Sequence, residues 1–169
     1  INWTATTTVV TGELVDTHMY AGDTYTLEEL WYSGLVASSN KAIMTLASVQ
    51  GWSPEAFVVR MNEKAQELGM GDTYFVEPTG LDAGNRSTAS DIALLLEEAL
   101  KQEKIQAALL TKDYTIFSEE RNKTHEMWNT NWLLLGWVPQ EFATFHGGKT
   151  GYISASGYNF TMQVSDEAG

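Results

Sequence analysis

Ser38, Ser39 and Asn40 set a hydroxyl and a carboxamide two positions apart inside an otherwise apolar stretch. Far downstream, Lys149, Thr150 and Gly151 set an ammonium beside a second hydroxyl and a residue with no side chain. Acyl transfer requires a proton taken from a nucleophile and delivered to a leaving amine, so a hydroxyl held between the two is chemically useful. The Asn40 amide can hold a peptide backbone. A cation next to a hydroxyl suits a terminal carboxylate through charge-assisted hydrogen bonds, and Gly151 leaves room for an extended ligand to lie along the chain. Ser38 and Lys41 also stand three apart, the spacing at which a helical lysine can deprotonate a serine. Against these stand plainer readings: a polar helix interruption that caps Lys41 and beyond, and a solvated lysine in a surface turn.

These residues need elements to hold them. Thr4 to Val10 is β-branched and reads as extended. Gly22-Asp23 marks a turn, and Thr26 with Glu29 forms a capping box at a helix start that runs through Leu30, Trp31 and Leu35. Ser38-Ser39-Asn40 interrupts it. Ala42 to Ala47 then continues as a nearly all-apolar helix, which predicts burial on every side. Ser53-Pro54-Glu55 opens a third helix, with Phe57, Val58, Met61, Ala65 and Leu68 at helical spacing and Gly69 as its stop. Tyr74-Phe75-Val76 reads as a short strand, and the stretch from Pro78 to Asn85 as a turn-rich loop. Thr88 and Asp91 cap a fourth helix whose inner stripe is Ile92, Leu95, Leu96, Ala99 and Leu100, and a short helix covers roughly Lys104 to Leu110. From Tyr114 the pattern turns to strands, with Asn129-Thr130-Asn131 as a polar break. Thr144–Thr150 and Gly157–Val164 are expected to be antiparallel neighbours. A helical cluster followed by sheet is α+β.

Composition sets limits. A hydrophobic share of 43% is that of a folded chain, and 169 residues suffice for one core. The formal charge of −12 argues against nucleic acid and against an anionic lipid surface, both of which need a basic face. With no cysteine there is no disulfide and no Cys-based metal or redox site. His18, His125 and His146 lack metal-ligand spacing, so no metal and no cofactor are expected. The six tryptophans are expected in the core and the cleft wall. No segment approaches the length of a membrane span. The chain begins with Ile1, and Ser165 to Gly169 reads as a turn leading into another strand, so residues 1–169 are expected to be a single partial domain cut at both ends.

In order and flanks, the two triads resemble the serine D-alanyl-D-alanine carboxypeptidases, the low-molecular-mass penicillin-binding proteins. The likeness extends over Tyr25 to Leu30, Met61 to Met70, Pro78 to Asp82, Ser87 to Ala93, Asn129 to Leu134 and Gly147 to Tyr152. It implies a fragment of the penicillin-binding protein/β-lactamase-like transpeptidase fold. The activity it implies is removal of the terminal D-alanine from peptidoglycan stem peptides ending in D-Ala-D-Ala, through an acyl-enzyme, outside the cytoplasm, with β-lactams bound by the intact protein. It assigns catalytic roles to Ser38, Asn40 and Lys149 and substrate binding to Lys149, Thr150 and Gly151.

The family's S-x-x-K element, which holds nucleophile and base, lies upstream of the Thr26 helix, and nothing in residues 1–25 fits it. The nucleophile is therefore expected upstream of Ile1, and this chain alone is expected to be inactive. The alternatives are a non-catalytic peptide-binding fragment or pseudoenzyme, or a β-lactamase-like hydrolase. The flanks place Ser38-Ser39-Asn40 in the S-x-N register, which sends Lys41 elsewhere. Glu77 invites comparison with the deacylating glutamate of class A β-lactamases, but Thr79 to Asp82 follow the carboxypeptidase loop and leave Glu77 as a loop acid. His146 and Gly148 depart from the family's usual residues before K-T-G; a glycine in a strand loses packing and allows close backbone approach, which predicts a looser strand edge. The missing neighbouring strands predict exposed sheet edges and self-association through them.

Overall fold

The computed structural model describes residues 2–10, 16 and 18–167. Among them the chain runs β1 (Thr6–Thr8), β2 (Thr24–Thr26), α1 (Leu27–Val36), α2 (Asn40–Val49), α3 (Pro54–Glu67), α4 (Ala89–Leu100) and α5 (Glu103–Leu109), then β3 (Asp113–Ser118), β4 (Lys123–Trp128), β5 (Thr144–Ile153) and β6 (Gly157–Ser165). The expected α+β order is present. The strands form three antiparallel pairs, β1 with β2, β3 with β4 and β5 with β6.

Local chemistry sets the helix starts. The Thr26 hydroxyl accepts from Glu29 N at 3.1 Å while Glu29 Oε2 accepts from Thr26 N at 2.8 Å, completing the capping box of α1. Ser39 caps α2 by accepting from Ala42 N, Ser53 caps α3 ahead of Pro54, and Thr88 caps α4. Each such cap contributes ~1 kcal/mol. Asp91 is not part of the α4 cap as a side chain; its carboxylate accepts from Asp72 N and the Thr73 hydroxyl and ties α4 to the preceding loop.

The main core lies where β1 and β2, α1, α2 and the β3–β4 hairpin meet, around Val9, Met19, Tyr25, Leu27, Leu30, Ala42, Ile116 and Met127. Buried Asp23 ties β2 to the β3–β4 turn by accepting from Arg121 Nε at 2.9 Å and the Ser118 hydroxyl at 2.6 Å. Helices α4 and α5 pack together and against the β5–β6 hairpin, and α5 also packs against α1.

Four expectations need correction. First, helix α2 is not buried all round: Ala42, Thr45 and Ala47 are covered, whereas Ile43, Met44 and Leu46 are only half-buried. An all-apolar sequence does not specify which sides a neighbour will cover. Second, Tyr74 to Val76 forms no strand, only a bridge from Tyr74 to Arg86. Side chains take over the ladder's work there, since Asn62 bonds both N and O of Phe75 and Asn85 Oδ1 accepts from Val76 N. Third, the tryptophans are only in part where expected: Trp132 lines the cleft wall, but none is fully buried in the core, against which Trp3 packs. Trp52, Trp128, Trp132 and Trp137 are exposed, and Trp3 and Trp31 are half-buried and meet edge to face.

Fourth, Gly148 does not loosen the strand. It pairs with Met162, and a Cβ there would lie 2.6 Å from the Thr161 carbonyl oxygen, which is the close backbone approach expected of a glycine at this position. The irregularity falls one residue earlier: the register skips His146, which forms a bulge, and its Nε2 bonds the Ser165 hydroxyl at 2.9 Å. β1 is also shorter than the extended stretch from Thr4 to Val10, because Ala5 N turns back to Asn2 O.

Candidate active site

Helices α1 and α2 are joined by Ala37, Ser38 and Ser39, and this linker carries the first triad. Ser38 has φ +55, a left-handed conformation that is uncommon for a residue with a side chain. Such a conformation costs roughly 1–3 kcal/mol and persists only where the surroundings enforce it. Here Ser39 N and Ala37 N both donate to Ser33 O, and buried Ser39 is locked as the α2 cap. Because α2 begins at Asn40, Ser38 lies outside the helix and the i,i+3 geometry with Lys41 does not arise. Lys41 Nζ donates instead to Met19 O at 3.2 Å.

Strand β5 delivers the second triad. Its Lys149 Nζ donates to Ser38 Oγ and, at 3.1 Å, to Thr150 O. The fold thus brings Ser38, Asn40, Lys149, Thr150 and Gly151 to one cavity of about 1000 Å³. One wall comes from α1 and α2 (Gly34, Leu35, Ile43), a second from the loop Pro78 to Leu81, and the rest from Thr130 to Leu133 and the β5–β6 hairpin. Lys149 is half-buried and, among the described residues, has no carboxylate partner. Burial alone pushes its pKa down to about 8. A Cβ placed on Gly151 would meet no atom within 4 Å, so packing does not require glycine there and the space beside the strand is open to a ligand.

Chemically, this is a poorly solvated cation bonded to a hydroxyl, next to a second hydroxyl and a carboxamide, at the side of an open strand. It can hold a carboxylate, and it can pass a proton along Ser38. Glu77 lies outside this group. Its carboxylate accepts from Thr79 N, the Thr79 hydroxyl, Gly80 N, Asp82 N and Asn85 Nδ2. An acid so fully engaged shapes a loop and is not poised to activate water.

The D-alanyl-D-alanine carboxypeptidase family matches residues 3–168 of this sequence. The chain belongs to that family. It is 36% identical over 145 residues to the D-alanyl-D-alanine carboxypeptidase DacF of Bacillus subtilis, covering 85% of this chain and 36% of that protein. It is 36% identical over 138 residues to the D-alanyl-D-alanine endopeptidase of Escherichia coli, covering 77% and 41% respectively. A solved D-alanyl-D-alanine carboxypeptidase from Mycobacterium tuberculosis superposes with TM-score 0.83 at 26% identity, over 99% of this chain and 63% of that one. The Streptomyces K15 DD-transpeptidase shares the fold, with TM-score 0.83 at 24% identity over 99% of this chain and 69% of that chain. The chain therefore spans well under half the length of these curated relatives.

One cleft residue, Thr130, is given no role by the sequence, although it lies in a polar break and in a block that carries the family likeness. The Thr130 hydroxyl bonds the Thr150 hydroxyl, and Thr130 lines the cavity. Its neighbours carry the signal that sequence alone offers. Asn129 and Asn131 are buried; Asn129 Nδ2 donates to Thr111 O, and Asn131 Oδ1 accepts from Leu133 N. Two asparagines spent on backbone groups leave the residue between them projecting. Of the histidines, His146 is half-buried on the bulge and does not line the cavity.

Proposed function

We propose that this chain is the recognition half of a serine D-alanyl-D-alanine carboxypeptidase that removes the terminal D-alanine from peptidoglycan stem peptides outside the cytoplasm. The observation that carries this reading is the Lys149 ammonium, half-buried at the cleft, bonded to Ser38 and without a carboxylate partner among the described residues. In this reading Lys149 and the Thr150 hydroxyl take the substrate's terminal carboxylate, and the peptide backbone runs past Gly151 with Asn40 holding an amide. Ser38 passes the nucleophile's proton toward the leaving amine, a role that general acid–base catalysis requires of some group in the cleft. The attacking serine and its base are assigned to polypeptide outside these 169 residues, since Ser38 to Lys41, the one S-x-x-K spacing in the sequence, is not formed as a pair and Lys41 Nζ is held by Met19 O. β-Lactams, which carry a carboxylate beside a strained amide, fit the same groups in the intact protein.

The test is mass spectrometry of this chain after incubation with a β-lactam. No covalent adduct is expected. An adduct mapped to Ser38 would overturn the assignment and make Ser38, with Lys149 as base, a nucleophile in its own right.

Self-association is part of the same reading. Each described strand has one partner, so each pair presents open edges, and open edges favour pairing with another copy. Sedimentation velocity is expected to show a concentration-dependent species heavier than the monomer. A strictly monomeric boundary at high concentration would count against it.

A further inference from the structure

Asp16 lies between the described ends of β1 and β2, distant in sequence from both triads, yet its carboxylate reaches the S-x-N linker. Oδ1 is tied to Asp16's own segment, accepting from His18 N at 2.9 Å and Met19 N at 3.0 Å. Oδ2 is tied to the linker, accepting from the Ser39 hydroxyl at 2.5 Å and from Lys41 N at 3.0 Å. We propose that Asp16 is a positioning residue that clamps the α1–α2 linker and so presents the Ser38 hydroxyl to Lys149. The inference deepens the functional reading above and rests on it for the value of the Ser38–Lys149 contact.

The physical case starts from the strain at Ser38. A left-handed serine reverts to a commoner conformation unless both sides of it are held. On the α1 side, Ser33 O holds Ala37 N and Ser39 N. On the α2 side, Asp16 holds Ser39 Oγ and Lys41 N, bracketing Asn40 as well. Hydrogen bonds to an ionised acceptor are the strong class, roughly twice the neutral ones. Lys41 Nζ on Met19 O adds a second tie between the same two segments. Lys149 comes from the opposite side of the cleft on β5, so a shift of the linker breaks its contact with Ser38 directly.

The test reads the Lys149 titration by NMR of the lysine Cε–Nζ group in the ligand-free chain, where the wild-type midpoint is expected at about 8. Ser38→Ala should lower it, by about half a unit or more, because the ammonium loses an acceptor that favours its charged form. Asp16→Ala should lower it by as much. Asp16→Asn keeps one acceptor, for the linker or for Asp16's own segment, and turns an NH₂ toward the donors of the other, so it should lower the midpoint less than Asp16→Ala. Ser39→Gly cuts the link from the other side without removing a charge, and glycine is tolerated at a helix N-cap; it should lower the midpoint in the same direction.

The deciding measurement is Asp16→Ala in a Ser38→Ala background, where no further movement is expected. A shift that persists there would be the long-range field of a lost carboxylate, and the proposal would be overturned. It would equally fall if neither Asp16→Ala nor Ser39→Gly moved the midpoint. Should Asp16→Ala fail to fold, Ser39→Gly decides alone. Titration of the wild type with a peptide ending in D-alanine runs in parallel. Absence of binding would count against the functional reading while the Lys149 midpoints still decide the role of Asp16.

Discussion

Replacing Lys149 with alanine should weaken the binding of a D-alanine-terminated peptide, or of a hydrolysed β-lactam, by about tenfold or more. A hydrogen bond to a charged group in a partly desolvated site is worth roughly 1.5–3 kcal/mol, and ~1.4 kcal/mol is one decade of affinity. Lys64 is the control: it is exposed on α3 and paired with Glu67 at 2.8 Å, and its loss should change nothing. Calorimetric titration of the wild type and both variants measures this. Equal affinities across the three would remove Lys149 as a recognition residue.

The same lysine imposes two opposite pH trends. Carboxylate binding needs the ammonium, so affinity should fall as pH rises through about 8. Stability should move the other way. The folded pKa is depressed from the ordinary 10.5 to about 8, so between those values the unfolded chain holds a proton that the folded chain has released. Stability therefore rises with pH across that window, by at most ~3 kcal/mol. Tyr25 and Tyr114, raised to about 12 chiefly by burial, work against folding only above their ordinary value of 10. Urea denaturation between pH 8 and pH 10 thus isolates Lys149, and the rise should vanish in Lys149→Ala.

Glu77→Gln should destabilise the chain by roughly 2–3 kcal/mol and weaken ligand binding several-fold. The carboxylate collects two donors on Oε2 and three on Oε1, at 2.6 to 3.3 Å. A glutamine offers one oxygen and turns an NH₂ toward groups that themselves donate. The loop so held includes Pro78 to Leu81, one wall of the cleft, which is why the loss should reach ligand affinity. Burial pushes the Glu77 carboxyl up, but hydrogen bonds from Thr79, Asp82 and Gly80 outweigh it and hold its pKa below the ordinary 4.5. A depressed carboxyl contributes stability above its ordinary pKa and loses it as pH falls through the folded value. The wild type should therefore lose this term only below about pH 4.5, and Glu77→Gln should show no such loss. A Glu77→Gln chain as stable as the wild type would show the loop to be held by other contacts.

The helix starts at Thr26, Ser53 and Thr88, the β5–β6 hairpin and the two triads were all legible from residue order, because capping, alternation and short motifs act within a few positions. Local order also misled where side chains replaced a ladder, as Asn62 and Asn85 do around Phe75 and Val76. At Gly148 it predicted a close backbone approach without naming the neighbour, the Thr161 carbonyl on another strand. The spacing of Ser38 and Lys41 alone also allows a pair, and it is the flanking residues that set Ser38 in the S-x-N register and send Lys41 elsewhere. Only the tertiary structure settles the geometry, by ending α1 two residues earlier, turning Ser38 left-handed and bringing β5 across to it. Asp16 and Thr130 join the site for the same reason: their partners are distant in sequence, and no periodicity along a chain encodes a contact made between elements.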